Sequence, residues 1–194
     1  GDDLDAAFDA LGPADALLDA MVPFRAEASF LIARTADGTT SSFPASLNSH
    51  KDGILATSIG PAGLPQPLVV AGQSAVKQLA EALDLVGLLA LETFITADDR
   101  LLFNEIAPRP HNSFHWTIEG CASSQFTQLI RAVAGLPLGS TACYGRWQMD
   151  NLLGEDMPGL EKLVAEPGLH LHLYGKASAK SGRKMGHTNR LIKP

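Results

Sequence analysis

Two apolar runs, Gly87–Thr96 and Leu101–Ile106, are joined by the short segment Ala97-Asp98-Asp99-Arg100, and this pattern constrains the fold more than any other in the chain. Apolar runs bounded by turn residues read as strands buried on at least one face, and so short a joint makes them a β-hairpin. Each run nevertheless carries an acid, Glu92 in the first and Glu105 close to the end of the second. A turn centred on Asp98 and Asp99 sets Phe94 opposite Phe103 and Glu92 opposite Glu105. Like charges facing each other on an apolar sheet destabilise it, and a buried carboxylate without a partner protonates or acquires a cation. Mg²⁺ suits such a pair: it takes one or two protein carboxylates and completes its octahedron with phosphate oxygens and water, so the pair points to metal-nucleotide binding. A three- or five-residue loop would instead slip the register by one and turn one carboxylate toward solvent.

The residues after Glu105 strengthen the functional reading. Asn104-Glu105-Ile106-Ala107-Pro108-Arg109-Pro110-His111-Asn112-Ser113 is dense in polar groups directly after a buried strand. Two prolines stiffen the loop, so Arg109, His111 and Asn112 are presented rather than left free. A guanidinium suits a planar oxyanion, and an imidazole beside an amide can orient a small acid or act on a proton.

Composition narrows the rest. With 194 residues, 45% apolar and 19% charged, the chain can bury a substantial core, and neither disorder nor a collagenous fold fits. No run reaches the length of a membrane span, and no basic segment leads an apolar one at the start, so a membrane partner and a secretory signal are not expected. Cys121 and Cys143 make neither a metal cluster nor a disulfide framework, which suits a reducing, cytoplasmic setting. The net charge of −6 conceals a split: from Pro167 onward there is no acid, while Lys176, Lys180, Arg183, Lys184, Arg190 and Lys193 are all basic. Such a tail suits an anion or a solvated basic edge, whereas the overall acidity argues against nucleic acid.

Along the chain, the acidic stretch from Asp2 to Asp19 reads as loosely helical, with 1–14 a loose entry segment. Leu17–Val22 and Ala28–Arg34 read as strands, and Asp37-Gly38 as a hairpin turn. Pro61–Pro67 reads as loop. Ala75, Val76, Leu79, Ala80 and Leu83 mark one face of a helix that stops before Gly87, and Phe126, Leu129, Ile130 and Val133 mark another that closes at Gly135-Leu136-Pro137. Leu169–Tyr174 and Met185–Leu191 read as strands among Gly-rich turns. The expected class is α+β, with one unit over 1–137 and a small β-rich lobe over 138–194. His170 and His172 alternate with leucines as an ordinary half-exposed strand would, a better reading than zinc binding; Trp116 and Phe126 read as core or loop anchors.

The motifs Glu92-Thr93-Phe94, Asn104 to Ser113, His115-Trp116-Thr117-Ile118-Glu119, Ser124-Gln125-Phe126, Gly135-Leu136-Pro137-Leu138-Gly139, Asn151-Leu152-Leu153-Gly154, His172-Leu173-Tyr174-Gly175-Lys176 and Gly182-Arg183-Lys184-Met185-Gly186-His187 stand in this order. Together they resemble the N5-carboxyaminoimidazole ribonucleotide synthase family, the ATPase subunit of phosphoribosylaminoimidazole carboxylase, over about Leu17 to Leu191 and in the C-terminal portion of that family only. The resemblance implies the C-terminal half of an ATP-grasp fold, built on an antiparallel sheet with packed helices. It implies ATP and Mg²⁺ as cofactors, bicarbonate and 5-aminoimidazole ribonucleotide as substrates, carboxyphosphate as intermediate, a place in purine biosynthesis, and a homodimer.

The resemblance also implies roles. Glu92 and Glu105 become metal ligands, Arg109, His111 and Asn112 the catalytic region for bicarbonate and carboxyphosphate, and Lys176, Arg183 and Lys184 the site for the ribonucleotide 5′-phosphate. Asp19, Ala20, Met21 and Val22 match the strand that reads adenine, with Asp19 where the family usually has Glu. Glu27 matches the acid at the ribose, His50 a nucleotide-contacting histidine, and Asn104 and Glu105 complete the ATP set. The family's N-terminal domain and the subdomain whose lysines grip the phosphates have no counterpart in these residues, so the chain alone is expected to be inactive or nearly so. The competing readings are another ATP-grasp carboxylase or transformylase, and a nucleotide-binding module without chemistry. Ala107, where other ATP-grasp enzymes place Asn two residues after the second metal acid, favours the aminoimidazole branch.

Overall fold

A computed structural model describes residues 4–12, 15–16 and 20–193. In chain order the elements are α1 (Leu4–Leu11), β1 (Phe24–Arg34), β2 (Thr40–Ser42), β3 (Ser46–Lys51), β4 (Ile54–Gly60), α2 (Gln66–Ala82), β5 (Gly87–Thr96), β6 (Leu101–Ala107), α3 (Thr117–Gly120), α4 (Gln125–Val133), β7 (Arg146–Leu153), α5 (Leu160–Val164), β8 (Leu169–Leu173) and β9 (Lys184–Lys193). The strands form one sheet in the order β6-β5-β1-β3-β4-β7-β9-β8, with β2 paired to β1. Every pairing among the described strands is antiparallel, so the α+β class with an antiparallel sheet and packed helices is borne out.

Strand β1 lies inside the sheet and is covered on both faces, which is why Ala28 through Ala33 form an unbroken buried run. Successive side chains alternate between the two faces of a strand. Ala28, Phe30 and Ile32 join Leu89, Leu91 and Ile95 beneath α2, whose buried Leu68, Gly72, Val76 and Ala80 recur every four residues along one face. Gly72 lets that helix approach, since a Cβ there would lie 2.1 Å from the Phe30 ring. Leu31 and Ala33 point the other way, into a second cluster with Leu88, Ala90, Phe114, Trp116 and Met149, against which Leu129 of α4 packs. Glu27 and Ser29 share this second face with Glu92, because Ser29 is the direct partner of Glu92.

Several expectations need correcting. Ala20, Met21 and Val22 are not strand; β1 starts only after Pro23, and Met21 is 94% exposed. No described strand lies beside them, and an extended segment with no ladder partner gains nothing from pairing. Asp19, like Leu17, lies outside the described residues. The loop expected to run to Pro67 ends earlier: α2 begins at Gln66, and Pro67 sits in its first turn, where the missing N–H is harmless.

The β5–β6 register is more particular than the sequence suggested. The connection has five residues, because Ile95 pairs with Leu101, and Phe94 faces Leu102 rather than Phe103. A bulge between Glu92 and Thr93 on one side, and Glu105 and Phe103 on the other, takes up the slip at Asn104. Inward of it the pairing is as expected, and Glu92 faces Glu105.

The last three strands do not form a sheet of their own. β7 pairs with β4 through Thr57–Asp150 to Gly60–Trp147, β9 pairs with β7, and β8 closes the far edge. This continuity carries the basic tail toward the hairpin acids.

Candidate active site

The site begins where β6 runs into the proline-stiffened loop. Glu92, on interior strand β5, is buried, whereas Glu105, on edge strand β6, is exposed at the cleft mouth; the pair is opposed but not equally buried. His111 is 6% exposed, and one ligand atom from each of Glu92, Glu105 and His111 lies within 4.8 Å of the others. The His111 Nε2 stands 3.4 Å from Glu92 Oε1. Burial, then the Glu105 charge, pushes the Glu92 carboxyl above its ordinary range. Burial also drives His111 down to about 4, with Arg109 and Lys184 adding to the effect, so the imidazole is neutral at physiological pH.

Most of the residues singled out from the sequence meet in one cleft of about 610 Å³. Glu27 and His50 line it from β1 and β3 and are hydrogen-bonded to each other. Asn104, Glu105, Arg109, His111 and Asn112 come from the end of β6 and its loop, and Lys176 and Lys184 from the other end of the sheet. Burial pulls Lys184 below its ordinary range, partly offset by Glu92. Lys176 lies over the Tyr174 ring, 5.7 Å from its centroid, and donates to the Lys184 carbonyl.

Other expected residues do not line this cleft. Arg183 is turned to Ser178, whose hydroxyl accepts from it at 2.9 Å. Ala20, Met21 and Val22 are likewise absent from the lining. His170 is exposed, while His172 is half-buried with Nε2 2.7 Å from Glu119 Oε1. Trp116 is a fully buried anchor that donates to Ser46 Oγ at 2.8 Å, and Phe126 stacks on His115.

The loop owes its shape to groups to which sequence reasoning gave no role. Gln125, fully buried at the start of α4, accepts from the His111 backbone N–H at 2.8 Å and donates to its carbonyl at 2.9 Å. The same amide nitrogen lies 2.9 Å from His115 Nδ1. Asn151 on β7 accepts from the Asn112 amide at 2.8 Å and itself donates to the Leu55 carbonyl at 2.6 Å. Behind the loop, His115 and His172 stack on the two sides of His187, with centroids 4.5 and 4.6 Å away, and Tyr174 Oη lies 2.9 Å from His187 Nδ1. These partners are far apart in sequence, and only the motif context of Gln125 and Asn151 hinted at them.

Comparison with known proteins matches this arrangement. A family model described as the ATP-grasp domain matches residues 2–126, and a second, described as the phosphoribosylaminoimidazole carboxylase C-terminal domain, matches residues 148–193. The chain belongs to the ATP-grasp family. An N5-carboxyaminoimidazole ribonucleotide synthase of Brucella melitensis is 48% identical over 188 residues, which are 97% of this chain and 52% of that protein. The crystal structure of an N5-carboxyaminoimidazole ribonucleotide synthetase in complex with ADP superposes with a TM-score of 0.93 at 44% identity, over 99% of this chain and 51% of that one. An Aspergillus clavatus N5-carboxyaminoimidazole synthase, solved with ADP and 5-aminoimidazole ribonucleotide, has a TM-score of 0.92 at 31% identity, over 98% of this chain and 53% of that one. The family resemblance read from the motifs is thus borne out, and the chain spans about half the length of these ATP-grasp relatives. Among the described residues, no helix is long and apolar enough to cross a membrane.

Proposed function

We propose that this chain forms the C-terminal half of a cytoplasmic ATP-grasp carbon-nitrogen ligase that carboxylates the amine of 5-aminoimidazole ribonucleotide with ATP and bicarbonate, in de novo purine biosynthesis. The observation that carries the reading is the meeting, in one cleft, of an opposed acid pair with Arg109, Lys176 and Lys184. Acids of this kind suit a hard cation with its nucleotide phosphates, and the cationic set suits a bicarbonate-derived anion and a phosphate monoester. The complexes of the relatives with ADP and with 5-aminoimidazole ribonucleotide support the same pairing of ligands.

The donor set fits Mg²⁺: burial first, and then the facing Glu105 charge, disfavour the Glu92 carboxylate, and a divalent ion between the two acids offsets both. Glu92 and Glu105 would hold the ion, whose chemistry is to neutralise phosphate oxygens of ATP during transfer of the terminal phosphoryl group to bicarbonate. Arg109 would clasp the planar anion, and His111 and Asn112, oriented by Ser113, Gln125 and Asn151, would hold it against the incoming amine. Lys176 and Lys184 would take the 5′-phosphate of the ribonucleotide, with Arg183 reaching it on release from Ser178. Glu27 and His50 would contact the nucleotide sugar, Asn104 would complete the ATP set, and Asp19, Ala20, Met21 and Val22 would meet adenine by their backbone. A division near residue 138 and a homodimer complete the reading.

The test is ATP hydrolysis by the chain with Mg²⁺ and bicarbonate, with and without 5-aminoimidazole ribonucleotide, repeated after joining it to the N-terminal half of a close relative. Activity is expected only in the joined protein, dependent on the ribonucleotide and abolished by Glu105→Gln. Wild-type-like turnover by the chain alone would overturn the half-enzyme reading. A silent joined protein that still binds nucleotide would make a non-catalytic module the better description.

A further inference from the structure

The segments on either side of α4 bring the two cysteines together at a place that the cleft chemistry does not use. Cys121 and Cys143 form an isolated antiparallel bridge, flanked by hydrogen bonds from the Ala122 N–H to the Ala142 carbonyl and from the Tyr144 N–H to the Gly120 carbonyl, both 2.8 Å. Bonds placed on either side of a pair make it a non-hydrogen-bonded position, where opposed Cα atoms are about 4.5 Å apart and side chains approach most closely. That spacing lies within the roughly 4.4–6.8 Å over which a disulfide can form without moving the backbone. The two thiol sulfurs are already 2.7 Å apart, and both cysteines are free. Access is one-sided: Cys121 is buried, whereas Cys143 lines a surface groove with Pro44, Gln73 and Thr141.

We propose that Cys121 and Cys143 are a modification site, closing a reversible intramolecular disulfide by exchange with small disulfides of the oxidised-glutathione class. The Cys143 thiol loses its proton and its sulfur attacks one sulfur of the small disulfide; that S–S bond breaks, and one small thiolate leaves and takes up a proton. Cys121 then loses its proton and attacks the Cys143 sulfur of the mixed disulfide, expelling the second small thiolate, which is protonated in turn. One protein dithiol and one small disulfide thus become one protein disulfide and two small thiols. The hydrogen bond from Cys121 lowers the Cys143 thiol, while the same bond and then burial raise Cys121, so Cys143 enters first and Cys121 resolves.

The bond would close a loop containing all of α4. Gln125, which holds the His111 backbone, lies inside that loop, so oxidation tethers the element behind the cleft. The inference rests on the cysteine geometry alone and stands apart from the carboxylation reading.

The test equilibrates the chain with reduced and oxidised glutathione over a wide range of ratios, traps free thiols with an alkylating agent and weighs the products. The expected result is that both alkylation sites disappear together at oxidising ratios without a glutathione adduct, and return on reduction. The midpoint of thermal unfolding should rise by about 5–10 °C in the oxidised form. A Cys121→Ser variant should stop at the glutathione adduct on Cys143, because the resolving thiol is gone. Two alkylatable thiols at the most oxidising ratio, or glutathione retained on Cys143 of the unaltered chain, would overturn the proposal. The unaltered chain decides the matter even if the variant fails to fold.

Discussion

Replacing Gln125 by leucine should damage the protein far more than its place in a short helix suggests. The leucine keeps approximate volume but removes one acceptor and two donor contacts, those to the His111 N–H, the His111 carbonyl and His115 Nδ1. Gln125 is fully buried and His111 nearly so, so water cannot readily replace the amide. A buried polar group left unpaired costs about 1–3 kcal/mol. Two orphaned backbone groups and a partly buried ring nitrogen therefore sum to roughly 3–9 kcal/mol, a large part of the roughly 5–15 kcal/mol that holds a typical domain together. Urea denaturation followed by tryptophan fluorescence reads this, since Trp116 and Trp147 both lie in the buried core that unfolding exposes. The midpoint should fall steeply with an unchanged slope. Gln125→Glu should be at least as damaging at neutral pH, because it keeps the acceptor but buries a carboxylate against the His111 carbonyl. A loss below about 1 kcal/mol for the leucine variant would refute the argument, since it would mean that the loop finds other partners at no cost.

Glu92→Gln should leave the ion-free chain as stable as before or more so, because it removes a charge that burial and Glu105 both disfavour, while abolishing Mn²⁺ binding by paramagnetic relaxation; a stability loss equal to that of a core truncation would contradict it. Acid should unfold the protein early. His115 and His187 are lowered to about 4 and about 3, mainly by burial, so the unfolded chain takes up protons first as pH falls below about 6.5, and stability drops from there toward pH 4. With His111, lowered to about 4 by the same cause, three such groups give a slope of at most about 4.1 kcal/mol per pH unit, and His187→Phe should remove roughly a third of it in urea titrations across this range. Gly72→Ala should lower the unfolding midpoint, because the new methyl meets the Phe30 ring; an unchanged midpoint would show that α2 can retreat without loss. In the joined enzyme, Lys176→Ala should raise KM for the ribonucleotide with little change in KM for ATP, and an effect on ATP alone would reassign the residue.

The sequence by itself determined the local elements and the chemistry they carry. Gly87–Thr96 appears in the structure with the expected bounds, and the strand expected over Leu101–Ile106 is longer by one residue, because apolar runs and turn residues act over neighbouring positions. The opposition of Glu92 and Glu105 was also legible there, as were the polar loop and the family motifs. Tertiary structure decided the rest. The hairpin closes with a loop length that should have turned one acid away, and a bulge at Asn104 restores the pairing, a compensation invisible to any count along the chain. Lys184 faces acids some eighty to ninety residues earlier because β9 pairs with β7 and β7 with β4. Of the strand expected over Leu17–Val22, the described residues Ala20–Val22 are not strand for the converse reason, having no described ladder partner. Gln125 under His111, the stacked His115, His187 and His172, and the meeting of Cys121 with Cys143 all arise where separate elements pack. Periodicity and turn chemistry are local and can be read along a chain, whereas burial, pairing partners and the electrostatics of a cleft depend on which distant segments the sheet brings side by side.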